Sequence, residues 1–235
     1  MTGSIRLHVP TALAEGDTVA TTAAQAHYLA NVMRRGPGDT LLLFNSRDGE
    51  FAARIETIRR DCASLRVERP TRSQIPGPDL WLAFALLKRD ATDLVVQKAT
   101  ELGVAAIHPV ITERCNTHRI NADRLTAIAV EAAEQSERLT VPHLHRPRPL
   151  AALLSDWPSN RRLFAAVERC SALRIMPAQG PRGLLVGPEG GFTPAELEAL
   201  RTHPFVAAVS LGPRILRADT ACIAGLAMLQ GVDCR

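Results

Sequence analysis

Two short stretches of the chain combine bare backbone with charge. The first, Gly187-Pro188-Glu189-Gly190-Gly191-Phe192, follows the apolar run Leu184-Leu185-Val186 and precedes Thr193-Pro194-Ala195-Glu196. Thr and Glu three residues apart, with Pro between them at the first helical position, form a capping box that starts a helix. The glycines therefore sit in a turn between a strand and a helix, where a ligand can approach backbone N–H groups closely. Neither the G-x-x-x-x-G-K-[ST] phosphate loop nor the G-x-G-x-x-G dinucleotide fingerprint is present. In the second stretch, Ser210 to Ala221, Gly212-Pro213 breaks a strand, and Arg214 and Arg217 flank Ile215 and Leu216. Two cations around two large apolar side chains suit a ligand with an apolar and an anionic part. Taken alone, each stretch also reads as an ordinary connection, a tight turn in one case and a solvated loop in the other.

The elements that carry these loops divide into two kinds. Residues 1–73 read as a small β-rich unit. SIRLHVP alternates like a strand and AAQAHYLANVMRR is a short helix. DTLLLFNSRDGEFAARIETI reads as two strands joined at Arg47-Asp48-Gly49, and ASLRVERP as a further strand. Such a series suggests a compact barrel. Residues 74–78, within TRSQIPGPD, form a linker. From 79 to 235 the pattern changes. DLWLAFALL is a continuous apolar run, expected of a strand buried on both faces. A helix follows it, with Asp90 as N-cap and Gly103 as its stop. VAAIHPVIT, RRLFAAVE, GLLVG and FVAAVSL are further strands, and helices begin near 123, 194 and 219. This alternation predicts a parallel sheet covered by helices. Ligands of such sheets bind beyond the carboxyl ends of the strands, where both Gly-containing loops lie.

Composition narrows the class. The chain has 235 residues, 46% hydrophobic and 22% charged, with a formal net charge of +4. That is ordinary for a globular protein and compatible with a nucleic-acid partner. Only Lys88 and Lys98 are lysines, against 26 arginines. Arginine suits bidentate phosphate contacts, although genomic base composition is the simpler explanation. Five cysteines lie far apart with no C-x-x-C pair, which points to a reducing cytoplasm rather than disulfides or zinc. His108, His118, His143 and His145 lack metal-ligand spacing, and no metal is expected. The N-terminus lacks the apolar core of a signal peptide, and the longest apolar runs are too short to span a bilayer.

Together, LLVGPEGGFTPAEL and VSLGPRILRADTA resemble the cofactor loops of the RsmE family. These are small-subunit (16S) ribosomal RNA uridine-N3 methyltransferases of the SPOUT, or α/β-knot, superfamily. LLKRDATDLVVQKATELGVAAIHPVITERC and AIAVEAAEQSERLTVPHL resemble two further family blocks, and AHYLANVMRRGPGD resembles the family's N-terminal pattern. The resemblance covers nearly the whole chain. It implies an α/β fold: a C-terminal SPOUT domain with a deep trefoil knot and mostly parallel sheet, plus a small N-terminal PUA-like β-barrel that binds RNA. It implies S-adenosylmethionine as cofactor, held by Gly187, Pro188, Glu189, Gly190, Gly191, Leu211, Gly212, Ile215 and Leu216, with Ile215 and Leu216 packed on the adenine. Arg217, Arg138, Glu189 and Asp219 are the catalytic candidates, and Arg6, Arg34 and Arg35 the RNA contacts. A homodimer through the helix near 219–230 is also implied. The chain departs from the pattern at Glu137, where the family usually has Gly, and at Asp219, where it usually has Glu. The alternatives are a SPOUT enzyme acting on transfer RNA and a non-catalytic RNA-binding assembly factor.

Overall fold

A computed structural model describes residues 5–115, 117–167 and 172–231, which separate into two compact units. The first comprises residues 1–76 together with 133–141. Its elements are β1 (Arg6–His8), β2 (Thr18–Ala20), α1 (Ala23–His27) continuing into one wide π-type turn at Tyr28–Val32, β3 (Thr40–Asn45), β4 (Gly49–Ile58) and β5 (Ala63–Arg72). One sheet orders them β1-β3-β4-β5-β2, with β1 parallel to β3 and the other pairs antiparallel. The predicted hairpin turn forms because Asn45 Oδ1 accepts from the N–H groups of Arg47 and Asp48. Gly49 then adopts φ 91°, where a Cβ would lie 2.4 Å from the Arg72 carbonyl oxygen, so only glycine fits. Leu7, Leu29, Leu43, Ile55 and Leu65 fill the core of this unit. The sequence reading omitted β2, whose three residues are too few for alternation to register.

The second unit comprises residues 77–132 and 142–235. In chain order it carries β6 (Leu80–Ala85), α2 (Arg89–Glu101), β7 (Ala106–Ile111) and α3 (Ala122–Gln135, whose residues from 133 belong with the first unit). Then follow β8 (His143–Leu144), β9 (Arg148–Pro149), α4 (Leu150–Ser155), β10 (Arg162–Ala166), β11 (Leu173–Arg174), β12 (Arg182–Val186), α5 (Pro194–Thr202), β13 (Val206–Ser210) and α6 (Ala218–Gln230). The sheet runs β11-β13-β10-β12-β6-β7-β8, with β9 also on β7, and every pair in it is parallel. All five residues of β12 and five of six in β6 are buried, as continuous apolar runs require. α6 packs on α2 and β12. Gly225 permits its close approach, since a Cβ there would lie 2.7 Å from Leu184 Cδ2.

One reading of this unit needs correction. α2 starts at Arg89 with Lys88 as N-cap and no side-chain cap, so Asp90 sits in the first turn. There its charge favours the helix dipole rather than closing a cap. Much of the apolar surface of α6 is buried within the chain. Ala221, Cys222, Gly225, Leu226 and Leu229 are buried within one chain, and only Ile223, Ala224, Ala227 and Met228 stay half-exposed.

Candidate cofactor site

The carboxyl ends of three neighbouring parallel strands, β13, β10 and β12, open into one cavity of about 850 Å³. The loop after β12 supplies Gly187–Phe192, the loop after β13 supplies Leu211–Arg217, and Ala166 and Val167 close the wall after β10. The expected loop residues Gly187, Pro188, Glu189, Gly190, Gly191, Leu211, Gly212, Ile215 and Leu216 all line it, as do Arg214 and Arg217. The end of β10 was not singled out from the sequence, because Ala166 and Val167 carry no chemical signal of their own.

Local chemistry explains each loop. Thr193 caps α5 as predicted: its side chain accepts from Glu196 N, while Glu196 Oε2 accepts from Thr193 N at 2.8 Å. That reciprocal cap pins the end of the Gly-rich loop. Gly187 lies so close to the Phe192 ring that a Cβ would meet it at 3.0 Å. Gly191 and Gly212 adopt φ 68° and 123°, and a Cβ on either would meet no protein atom within 4 Å, as befits backbone bordering open space. In the second loop, Ser210 Oγ accepts from Gly212 N, tightening the break after β13.

The cavity therefore presents bare peptide groups beside Val186, Leu211, Leu216 and Ala221, with one carboxylate, Glu189, and two guanidiniums, Arg214 and Arg217. These three charged side chains are exposed, and none takes part in an ion pair among the described residues. Ile215 is 61% exposed, so it is not core. A wall of this kind fits a molecule with a flat apolar ring, hydroxyls and a zwitterionic tail.

The other candidates lie elsewhere. Asp219 is not on the cavity wall; in the first turn of α6, its Oδ1 accepts from Thr220 N at 2.7 Å. Arg138 belongs to the first unit, where burial pushes its guanidinium down to about 10 and its Nη2 donates to Thr140 Oγ1 at 2.7 Å. Arg6 is not a surface phosphate contact. It is 7% exposed, pairs with Glu50 at 2.7 Å, stacks on Phe44, and donates to the carbonyls of Ala133, Glu134 and Arg138. Its guanidinium closes the carboxyl end of α3, where orphan carbonyls and the helix dipole favour a cation. Arg34 and Arg35 are exposed, and Arg34 has φ 53°. Cys222, buried in α6, is inert because burial pushes its thiol up. Among the described residues no group of three or more His, Cys, Asp or Glu side chains is arranged to hold a metal, and no helix is long and apolar enough to cross a membrane.

Residues 74–230 match the RNA methyltransferase domain and residues 21–68 the RNA methyltransferase PUA domain. The chain is 36% identical, over 96% of its length and 94% of the relative's, to ribosomal RNA small subunit methyltransferase E of Rickettsia conorii. Among solved structures it resembles the Neisseria gonorrhoeae ribosomal RNA small subunit methyltransferase E bound to S-adenosylmethionine, with TM-score 0.88, 30% identity and 98% of each chain covered. A Legionella pneumophila methyltransferase solved with bound S-adenosylmethionine is similar at TM-score 0.87 and 29% identity, again over 98% of each chain.

Proposed function

The chain belongs to the ribosomal RNA small subunit methyltransferase E family, and on that premise we propose that it methylates N3 of a uridine in small-subunit (16S) ribosomal RNA, using S-adenosylmethionine. One observation carries the reading: two glycine-bearing loops and the end of β10 enclose a single cavity, in a chain that matches a cofactor-bound relative over nearly its whole length. When bound, S-adenosylmethionine supplies an electrophilic methyl group. The backbone of Gly187–Gly191 and Leu211–Leu216 would hold it, and Ile215 and Leu216 would offer apolar surface to its adenine.

The remaining chemistry belongs to the protein. Uridine N3 carries a proton at neutral pH and must lose it to become a nucleophile. Glu189, exposed on the cavity wall, accepts that proton. Arg217 donates to a uracil oxygen as negative charge spreads from N3, and preorganised donors of this kind supply much of an enzyme's rate. Asp219, engaged at its own helix terminus, and Arg138, outside the cavity wall, act as supports rather than reactants. The first unit, with exposed Arg34 and Arg35, binds the RNA backbone. Three further features complete the reading. The chain path around the two loops is knotted. Two copies pair along the half-exposed stripe Ile223, Ala224, Ala227 and Met228 of α6. The enzyme meets its substrate in the cytoplasm, where ribosomes are assembled.

Incubation with methyl-labelled S-adenosylmethionine and separated RNA classes tests the substrate assignment. Label should enter small-subunit RNA. Label confined to transfer RNA, or cofactor binding with no transfer, would replace this reading.

A further inference from the structure

The turn that follows β7 is built in a way that cofactor-loop chemistry does not require. Thr112 and Cys115 close it: Thr112 Oγ1 and Cys115 Sγ lie 3.1 Å apart, and Cys115 N donates to Thr112 O at 3.2 Å. From this turn two neighbouring residues reach the segment after β12, although β6 stands between β7 and β12 in the sheet. Glu113 N donates to Glu196 Oε1 at 2.9 Å, while the other oxygen of that carboxylate holds Thr193 N. Arg114 Nη1 donates to Gly190 O at 2.7 Å. A Cβ on Gly190 would lie 3.4 Å from Arg114 Cδ and 3.5 Å from its Cβ, so the arginine's stem lies along the bare face of that glycine.

We infer that Arg114 is a positioning residue that holds the Gly190 peptide, and with it the Gly187–Gly191 loop, in the orientation that receives the cofactor. The inference rests on the reading that this cavity binds S-adenosylmethionine. Arg114 is exposed and forms no ion pair among the described residues, so neither burial nor charge pairing accounts for its placement. Glu113 fixes the downstream end of the loop through the α5 cap, and Arg114 fixes its middle. A loop of glycines has no side chains with which to hold its own shape, so an outside clamp lowers the ordering cost that binding would otherwise meet. A Cβ at 190 would only touch the arginine stem, whereas the branched side chain of valine reaches further into the space that stem occupies.

Calorimetric titration of S-adenosylmethionine into the full chain tests this. Arg114→Ala should raise Kd about tenfold, the size expected from loss of one charge-assisted hydrogen bond. Turnover at saturating cofactor and the ligand-free melting temperature should stay near wild type. Arg114→Lys, which keeps one donor, should recover part of the affinity. Gly190→Val should weaken binding in the wild-type background and much less in the Arg114→Ala background, because both changes break the same contact. Wild-type protein that fails to bind S-adenosylmethionine would overturn the cavity reading itself. Wild-type binding with unchanged Kd in Arg114→Ala, or a loss of turnover at saturating cofactor with Kd intact, would overturn the positioning role alone.

Discussion

At position 217 an arginine and a lysine are not equivalent. Arg217 is the residue just before α6; its side chain does not cap the helix, and it faces the cavity from an exposed position. A planar guanidinium can meet a uracil oxygen while its other donors stay anchored, which an ammonium matches poorly. Removing one such donor typically costs about 2.7–4 kcal/mol of transition-state stabilisation, roughly a hundred- to a thousandfold in rate. Arg217→Ala and Arg217→Lys should both lose turnover on that scale in single-turnover assays at saturating cofactor. A near-wild-type rate there would remove Arg217 from the chemistry. Position 137 makes a different residue-scale prediction. Glu137 has φ 58°, and Arg138 N donates to Ala133 O, the geometry in which a helix ends through a left-handed residue. Glycine accepts that conformation without strain, which is why the departure from the family's Gly was legible as odd before its cause was visible. Arg72 Nη2 donates to the Glu137 carbonyl at 2.6 Å, a bond that glycine would keep, and the largely exposed Glu137 side chain adds only a 3.7 Å contact to Arg72. Glu137→Gly should therefore raise stability by about 0.5–1 kcal/mol in chemical denaturation. A loss of stability would mean that the Arg72 contact outweighs the backbone strain.

Strands β6 and β7 bring together a cluster that no spacing in the sequence announced. His108 on β7 is 4% exposed, stacked on His145 at 4.0 Å and tilted against Trp81 at 4.9 Å, and neither ring nitrogen has a hydrogen-bond partner. Trp157 borders the same ring, and Arg161 covers Trp81. Burial, then His145, Arg148, His143 and Arg161, push the imidazole down to about 3. The native ring stays neutral and works as an aromatic plate. Below pH 6.5, the ordinary histidine value, the unfolded chain takes up a proton that the native ring refuses. Stability is thus intact above that pH and falls as pH falls, by about 2 kcal/mol at pH 5. His108→Phe should flatten the melting temperature between pH 6.5 and 5, and an unchanged slope would assign the acid sensitivity to other groups. Other elements differ in how plainly they were written. The α5 capping box was readable to the residue because Thr193, Pro194 and Glu196 each have one strong local preference. The two-residue strands β8, β9 and β11 were not, since alternation cannot show in so short a span. Arg6 was expected on the RNA from the family resemblance, and only the fold brings Glu50 and the end of α3 around this first residue of β1.

For the molecule as a whole, the change of pattern near residue 74 predicted two units of different architecture, and the alternation of strands and helices after it predicted a parallel sheet. The strand order was not legible, because periodicity says which face is buried and nothing about which strand is the neighbour. Placing β10 between β12 and β13 is what sets the loops after those two strands around one cavity. The resemblance, rather than residue spacing, supplied that pairing in advance. The central claim is that this cavity delivers a methyl group to N3 of uridine. The most direct measurement digests small-subunit ribosomal RNA after reaction with the protein and methyl-labelled S-adenosylmethionine, then identifies the labelled nucleoside by chromatography and mass. The account predicts 3-methyluridine with wild-type protein, and far less with Gly191→Val, whose side chain would be forced into the left-handed region at the cavity wall. Label in a methylated ribose or in another base, or equal yields from both proteins, would contradict it.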